Sequence, residues 1–246
     1  MPKQFIFACL FTGVYDVNRS ETLANNDYSL IEKWVSSITS LKLHGIIFHN
    51  SFSADTVAKY SSEFITFKQV EYNPIYNLSV YRYFVYLDYL LKNPIEIESL
   101  FVTDSTDVEV VNNPFEQPLF KGNSTSLFCG DEPSTLNNEW MMKHSTHFRN
   151  QIPTFAAYEQ KFANETLLNC GIIGGSIEVM TDLLTELVNF HTLYNQNNKA
   201  AYTGDMGAFN YIARNKFNIQ LFHGAPINTI FKGYETNNNS CWFRHK

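Results

Sequence analysis

The sequence predicts a single α/β domain, with a mainly parallel central sheet and helices on both of its faces. Short apolar segments with the length of buried strands alternate with amphipathic helical segments, which is typical of such sheets. The chain has 246 residues, the size of one domain, and 44% of them are hydrophobic, so a large core is available. No stretch has the composition of a linker between domains. We therefore assign residues 1–236 to one domain and residues 237–246 to a loose C-terminal tail.

Strand-like and helix-like segments alternate through the first part of the chain. A buried strand is predicted for the apolar run from Phe5 to Phe11, which ends at Thr12. Amphipathic helices are predicted from about Asp27 and from Ser79 to Leu91, because their apolar side chains recur with the spacing of one helix face. Two further strands are predicted between these helices, in the segments HGIIFHNSF and FITFKQVEY.

The second part of the chain continues the alternation. Helices are predicted at about Ile177–Tyr194 and Gly204–Arg214. The LLNCGIIGGS strand is expected to end in a glycine turn before the first of these helices. The predicted strands of this part are SLFVTDSTDVEVV, SLFCGDE, LLNCGIIGGS and IQLFHG.

Polar or glycine residues follow the predicted strands. In parallel sheets, ligands bind beyond the carboxyl ends of the strands, so these residues are expected to converge on one edge. They are Thr12, Asp104, Glu132, Gly174 and His223.

The charge and the cysteine pattern exclude several classes of protein. A formal net charge of -6 argues against a nucleic-acid partner, which requires a basic surface. The four cysteines are far apart and form no CxxC pair, so neither a zinc knuckle nor a redox pair is predicted. No apolar segment approaches the length of a membrane span. We expect a cytoplasmic protein without a membrane span, while peripheral membrane contact stays open.

The strongest chemical signal is the acidic segment Asp104-Ser105-Thr106-Asp107-Val108-Glu109, which follows an apolar strand. Three carboxylates so close together at a strand end suit a hard divalent cation such as Mg²⁺ or Mn²⁺. On an extended strand Asp107 and Glu109 share a face, whereas Asp104 meets Asp107 only if the chain turns between them. Taken alone, such a cluster is more often a solvated acidic loop.

The surroundings of this segment carry a family resemblance. TDSTDVEVVNNPF, which begins at Thr103, resembles the TDxRDVxFQxDPF signature of bacterial and plant glycosyltransferases with the GT-A fold. That group is similar to the retaining family-8 enzymes with their DxD motif. Thr106 replaces the usual arginine, and the FQxD portion is replaced by VVNN. The resemblance implies that Asp104 and Asp107 bind the cation and the donor's diphosphate or ribose, with Glu109 ranked below them.

Two later segments resemble parts of the same family. NCGIIGG resembles the strand and turn that lines the sugar pocket, which implies donor contacts for Asn169, Gly171 and Gly174. Glycine allows the donor to approach the backbone closely there. GDMGAFN resembles a DQxxxN helix start, with Met206 in place of glutamine, and implies that Asp205 lies beside the anomeric carbon. The alternative for Asp205 is a helix-capping role.

A histidine and three weaker elements complete the predicted site. His223, followed by glycine, resembles the HG motif whose histidine completes the metal site. Arg82 matches an arginine often found before the acid motif, and a guanidinium holds phosphate well. Glu132 resembles a strand end that faces the acceptor, with Trp140 soon after it. We also count Thr12 among the donor-binding candidates.

These features together predict a transferase. The resemblance implies a metal-dependent glycosyltransferase that uses Mn²⁺ or Mg²⁺ and moves a sugar from a nucleotide-diphosphate-sugar donor to a glycan, polysaccharide or other hydroxyl acceptor. Asp205 and Glu132 are its candidate catalytic carboxylates, and retention of the anomeric configuration is the expected outcome. A catalytically inactive carbohydrate-binding relative and a sugar nucleotidyltransferase stay open, although the nucleotidyltransferase's GxGxRxxPLT-like loop is missing near the N-terminus. A metal-dependent hydrolase is disfavoured because histidines are not clustered.

Overall fold

The computed structural model describes residues 3–17, 19–93, 97–195, 204–234 and 238–246. Its strands are β1 (Gln4–Leu10), β2 (Tyr15–Asp16), β3 (Glu21–Thr22), β4 (His44–His49), β5 (Ile65–Gln69), β6 (Ser99–Thr103), β7 (Val108–Val110), β8 (Leu127–Thr135), β9 (Thr166–Ser176), β10 (Leu221–His223) and β11 (Phe243–His245). Its α-helices are α1 (Glu32–Ser40), α2 (Ala54–Tyr60), α3 (Leu78–Lys92), α4 (Pro118–Lys121), α5 (Glu139–His144), α6 (Thr146–Gln151), α7 (Phe155–Lys161), α8 (Ile177–Tyr194) and α9 (Asp205–Ile212).

Seven of these strands form the central sheet, in the order β10-β8-β9-β6-β1-β4-β5. Strand β9 runs antiparallel to both of its neighbours, and every other pair in the sheet is parallel. All strands except β9 therefore point the same way, and their carboxyl ends share one edge of the sheet. The predicted α/β class with a mainly parallel sheet is confirmed.

The sheet is covered on both faces because its strands are apolar on both faces. Along β1, Phe5 and Phe7 belong to one buried cluster, whereas Ile6 and Ala8 belong to the other. This alternation follows from the two-residue period of a strand. Helices α3, α8 and α9 contribute to the first cluster, and α1, with the buried Trp34, contributes to the second. Among the described helices, none combines the length and the apolar character that crossing a membrane requires.

Strand β9 contains the glycines that were expected to form a turn. Gly174 and Gly175 pair with strand β6, and the strand continues to Ser176. Ser176 then caps α8 by accepting a hydrogen bond from the backbone N–H of Val179. A Cβ on Gly174 would overlap the ring of Phe101 on β6, so this glycine allows an aromatic ring to lie across the strand. The predicted glycine turn is wrong for this packing reason.

The C-terminal residues are an ordered part of the domain. Residue 237 lies outside the described residues, but the loose tail expected for 237–246 is wrong from Cys241 onward. Strand β11 pairs antiparallel with β7, which contains the last two residues of the acidic segment. Trp242 and Phe243 are buried, and the ring of Phe243 lies 5.1 Å from that of Phe101. Burial of these two aromatic side chains anchors the end of the chain against the sheet.

Candidate metal and substrate site

A cavity of about 560 Å³ opens at the carboxyl edge of the sheet. The end of β1, the acidic segment after β6, strand β8 and the first half of β9 all contribute to its lining. The beginnings of α3 and α9 complete it. Strand β9 runs in the opposite direction, so its first residues, rather than its last, reach this edge.

The acidic segment turns back on itself at the end of β6. Bends at Ser105, Thr106 and Asp107 separate β6 from β7, and Ser105 Oγ donates a hydrogen bond of 3.1 Å to the carbonyl of Cys9. The turn brings Asp104 and Asp107 together, as their spacing required. Glu109 forms ion pairs with Arg244 and Lys246, with a distance of 2.9 Å from Arg244 Nη1 to Glu109 Oε2. Its carboxylate therefore stabilises the pairing of β7 with β11.

The histidine that joins the two aspartates is His245. One ligand atom from each of Asp104, Asp107 and His245 can be chosen so that all three lie within 4.8 Å of one another. His245 reaches this position because it pairs with Val108 across β11 and β7, and the N–H of Lys246 donates to the carbonyl of Asp107. The ring of Phe231 packs on the imidazole at a centroid distance of 4.5 Å.

The chemistry of these three side chains fits a divalent cation. Asp107 Oδ1 and His245 Nδ1 are buried and have no hydrogen-bond partner among the described residues. A buried polar atom without a protein partner is commonly completed by an ordered water or a bound ion. Two carboxylates and an imidazole form a donor set that Mn²⁺ and similar ions accept, while Mg²⁺ prefers oxygen alone.

The electrostatics of this group are dominated by two carboxyl groups that lie close together. Burial, together with the nearby carboxylate of Asp104, raises the pKa of Asp107 to about 7. Burial alone would raise the pKa of Asp104 as well, but Arg82 and His245 outweigh it and lower the pKa. Burial lowers the pKa of His245 to about 4, so its imidazole is neutral at neutral pH, which is the form that binds metals.

Arg82 on α3 links the acid pair to Asp205. Its Nη1 contacts Asp104 Oδ1, and its Nη2 lies 3.1 Å from the carbonyl oxygen of Cys170 and 3.7 Å from Asp205 Oδ2. The side chain is buried. Arg82 therefore holds two carboxylates in fixed positions, and its predicted contact with a phosphate stays a prediction.

The beginning of β9 orients a third carboxylate. Asn169 Nδ2 donates to Glu132 Oε1 at 2.8 Å, and Asn169 Oδ1 accepts from the N–H of Gly171 at 2.7 Å. Burial raises the pKa of Glu132, although the hydrogen bond from Asn169 opposes the shift. A Cβ on Gly171 would lie 2.5 Å from His245 Cε1 and 2.7 Å from Asp104 Oδ2. The glycine thus leaves room for the side chains of His245 and Asp104.

Helix α9 positions Asp205 at its first turn. Gly204 precedes it with a φ of 64°, a left-handed backbone conformation that glycine adopts without strain. Asn210 ties the helix to β9, because its side chain accepts from the N–H of Leu168 and donates to the carbonyl of Leu168. Asp205 is buried, and Cys170 Sγ lies 3.5 Å from its Oδ2. Its place in the cavity is fixed by both α9 and Arg82.

Comparison with known proteins adds no family to this picture. No protein-family model matches the chain, and no curated protein matches it. The function must therefore be argued from the site and from the motif resemblance.

Three of the residues predicted for the site lie elsewhere. His223 was expected to complete the metal site, but its Nδ1 pairs with Asp131 Oδ2 at 2.9 Å, and it does not line the cavity. Gly174 lies near the carboxyl end of β9, where the ring of Phe101 fills the space beside it. Thr12 is buried, and its side chain bonds Asn25 and Ser51 rather than facing the cavity. Each of the three faces a protein neighbour, so these predictions are corrected.

The residues that the sequence did not indicate are His245, Arg19 and Lys232, all of which line the cavity. Arg19 donates to Thr106 of the acidic segment. Lys232 lies beside Phe231, with its Nζ 5.1 Å from the ring centroid. A usable signal existed for His245 alone, because the apolar pair Trp242-Phe243 is unusual for a loose tail.

Proposed function

We propose that this chain is a divalent-metal-dependent glycosyltransferase that uses a nucleotide-diphosphate-sugar donor. One observation carries the proposal: Asp104, Asp107 and His245 meet in the same cavity as Glu132 and Asp205. Parallel sheets bind ligands at this edge. The motif resemblance supports the same region, since it covers the two aspartates.

The three ligating side chains would hold Mn²⁺ or Mg²⁺, and the bound cation would offset the negative charge that grows on the departing diphosphate. Arg82 keeps Asp104 ionised and aimed at this position. Arg19 and Lys232 add positive charge to the cavity wall. These side chains would offset the negative charge of a donor diphosphate beside the acid pair, in addition to the bound cation.

In this proposal two carboxylates take part in transfer of the sugar. Transfer forms a bond between the acceptor oxygen and the anomeric carbon, breaks the bond from that carbon to the diphosphate, and releases the acceptor's proton. Asp205 stabilises the positive charge on the sugar carbon. In an inverting reaction Glu132, whose pKa is raised, takes the proton. In the retaining reaction that the resemblance implies, the proton goes to the departing diphosphate.

Ligand-induced thermal stabilisation tests the proposal. UDP-, GDP- and CDP-sugars are added with and without Mn²⁺ to the wild type and to Asp107→Asn and His245→Ala. His223→Ala is the matched control, because it removes the same side chain outside the cavity. We expect a manganese-dependent shift for one nucleotide class in the wild type and the control, and none in the two site variants. No shift with any nucleotide in the folded wild type would refute the transferase.

A further inference from the structure

The proposed function leaves the base of the donor nucleotide open, and a second cavity bears on it. This cavity, of about 690 Å³, is lined by Asn50, Gln69, Val70, Glu71 and Tyr72. We propose that it binds the base of the donor and that this base is guanine. The inference rests on the proposed function, because it names the nucleotide of the same donor.

The second cavity lies at the same edge of the sheet as the acid pair. Gln69 is the last residue of β5, and Asn50 directly follows β4, so both lie at the carboxyl ends of parallel strands. The ring of Tyr72 lies 5.2 Å from that of Phe11, which lines the first cavity. The two cavities are therefore neighbours, and one ligand that runs along this edge can contact both.

The order of the strands sets the direction in which a nucleotide extends. The chain passes from β1 to β4 and β5 on one side, and it returns to β6 on the other side of β1. Ligands of such sheets bind in the crevice where the order reverses, which here is the crevice beside Asp104 and Asp107. Glu132 belongs to β8 and Asp205 contacts Cys170 of β9, so the sugar lies toward these strands. The nucleoside then extends the opposite way, toward β4 and β5.

The separation between the second cavity and the acid pair matches the length of a nucleoside diphosphate. Neighbouring strands lie about 4.8 Å apart, so the ends of β4 and β5 are roughly 10 and 14 Å from the end of β6. In the nucleotide, about eight bonds join the β-phosphorus to the base nitrogen on the ribose, and an extended chain advances about 1.2 Å per bond. A base whose diphosphate is held at the acid pair therefore begins roughly 10 Å away, at the ends of β4 and β5.

The wall of the second cavity is held by contacts between neighbouring strands. Asn50 Oδ1 accepts from the N–H of Thr12 at 3.0 Å, and Asn50 Nδ2 donates to the carbonyl of Thr12 at 2.9 Å. The N–H of Val70 donates to the last carbonyl of β4 at 2.8 Å, which extends the contact of the two chain segments beyond the end of β5. Gln69 and Glu71 flank Val70, so their side chains project from a backbone that is held in place.

Gln69 and Glu71 together offer a donor and a pair of acceptors. Both side chains are exposed, and neither forms a hydrogen bond or an ion pair with another described residue. A carboxylate has two acceptor oxygens, and an amide has N–H donors. Guanine presents the complementary edge, because its N1–H and 2-amino group are neighbouring donors and its O6 is an acceptor beside them. Glu71 can accept from both N–H groups while Gln69 donates to O6.

The other common bases match this pair of side chains less well. Uracil has one ring N–H between two carbonyl oxygens, so the second carboxylate oxygen would face one of those oxygens. Cytosine and adenine have an unprotonated ring nitrogen beside a single amino group, and that nitrogen repels a carboxylate. A bidentate contact with one base discriminates against the others by roughly 5–150-fold. The second cavity therefore favours a guanine nucleotide.

Binding of nucleoside diphosphates tests the inference without measuring transfer. GDP, UDP, CDP and ADP are titrated calorimetrically into the protein in the presence of Mn²⁺. Inosine diphosphate is a fifth probe, because it differs from GDP only in lacking the 2-amino group. We expect GDP to bind at least roughly fivefold more tightly than each of the others.

Two variants locate the side chain that recognises the base. Glu71→Gln keeps the size of the side chain but replaces one acceptor oxygen with a donor, so it should bind GDP and inosine diphosphate with nearly equal affinity. Glu63→Gln is the matched control, because Glu63 is also exposed and precedes β5, at the opposite end of that strand. It should keep the wild-type preference for GDP. Both changes are on the surface, so both melting temperatures should match that of the wild type.

The outcomes separate this inference from the transferase. Equal binding of all the diphosphates, or tighter binding of UDP, CDP or ADP, would refute guanine, while the transferase would stand on manganese-dependent binding of the nucleotide. A preference for GDP that persists in Glu71→Gln would refute the second cavity as the site of the base. If no nucleoside diphosphate binds the folded wild type, the transferase is refuted and the inference falls with it.

Discussion

Replacing Gly171 by alanine should abolish cation binding while the sheet stays folded. The added Cβ would lie 2.5 Å from His245 Cε1, 2.7 Å from Asp104 Oδ2 and 2.9 Å from Asn169 Oδ1. Ordinary contact begins at 3.4 Å, so the imidazole must retreat by about 0.9 Å, the difference between 3.4 and 2.5 Å. Metal–ligand distances tolerate only about 0.2 Å. Two of the three proposed ligand side chains, those of His245 and Asp104, would therefore be pushed out of reach of a common ion.

The expected magnitude follows from that displacement. Disturbing only the partners of metal ligands lowers metal affinity by about 10–100-fold, so moving the ligands themselves should lower it at least as much. Calorimetric titration of Mn²⁺ into the purified protein measures the affinity, and circular dichroism checks that the variant is folded.

Gly175→Ala is the matched control on the same strand. Its Cβ would lie 3.0 Å from the carbonyl oxygen of Ser126 and 3.1 Å from Val179 Cγ1, and it would contact none of the three proposed ligand side chains. Overpacking costs about 1–3 kcal/mol, and a chain of this size loses about 2–4 °C of melting temperature per kcal/mol. This variant should melt earlier and bind Mn²⁺ as the wild type does. Wild-type affinity in a folded Gly171→Ala protein would show that these side chains are not the ligands.

Three further predictions follow from single contacts. The melting temperature of Arg82→Met should be roughly 6–20 °C lower than that of the wild type, because breaking a buried ion pair costs about 3–5 kcal/mol. Arg82→Lys should recover part of this loss. An unchanged melting temperature would show that the ion pair contributes nothing to stability. Asn169→Ala should raise the pKa of Glu132 further, since the variant removes a hydrogen bond that lowers this pKa. Carbon NMR of the glutamate carboxyl groups measures that pKa as pH is varied. The same pKa in the variant and the wild type would show that the hydrogen bond has no influence. Burial lowers the pKa of His191 from 6.5 to about 3. Below pH 6.5 this histidine therefore binds a proton in the unfolded state and stays neutral in the folded state. This histidine should therefore contribute a loss of stability of about 1.6 kcal/mol between pH 6.5 and 5, because the slope approaches about 1.36 kcal/mol per unit only below its unfolded pKa. Urea titrations of His191→Gln should show a loss smaller than that of the wild type by this amount, and an equal loss would refute the assignment.

The sequence could predict what is local or periodic. Short apolar runs placed the strands of the central sheet, and the spacing of apolar side chains placed α8 at its observed bounds, Ile177–Tyr194. The spacing of Asp104 and Asp107 required a turn between them, and the structure has that turn. Each of these features depends on neighbours in the chain, which a single sequence displays.

The partners of the acid pair could not be predicted in this way. His245 comes from the far end of the chain, through a strand pairing in which Glu109 and Arg244 are 135 positions apart. His223 has the more suggestive local pattern, a histidine followed by glycine after a strand, yet β10 lies at the edge of the sheet beside β8. Strand order decides which histidine meets Asp104, and that order is set by tertiary packing.

Packing and ion pairs on both sides of β11 fix the position of His245. Burial of Trp242 and Phe243 fixes β11 from one side, and the contacts of Arg244 and Lys246 with Glu109 fix it from the other. The protein thus brings two carboxylates and an imidazole together with its own packing energy, and leaves a carboxyl oxygen of Asp107 without a partner among the described residues. A cation would therefore bind a preformed site and relieve an existing repulsion, so little of its binding energy would be spent on ordering the chain. At 100 times its dissociation constant it would stabilise the fold by about 2.7 kcal/mol, or roughly 5–11 °C, which makes thermal stabilisation a direct measure of this site.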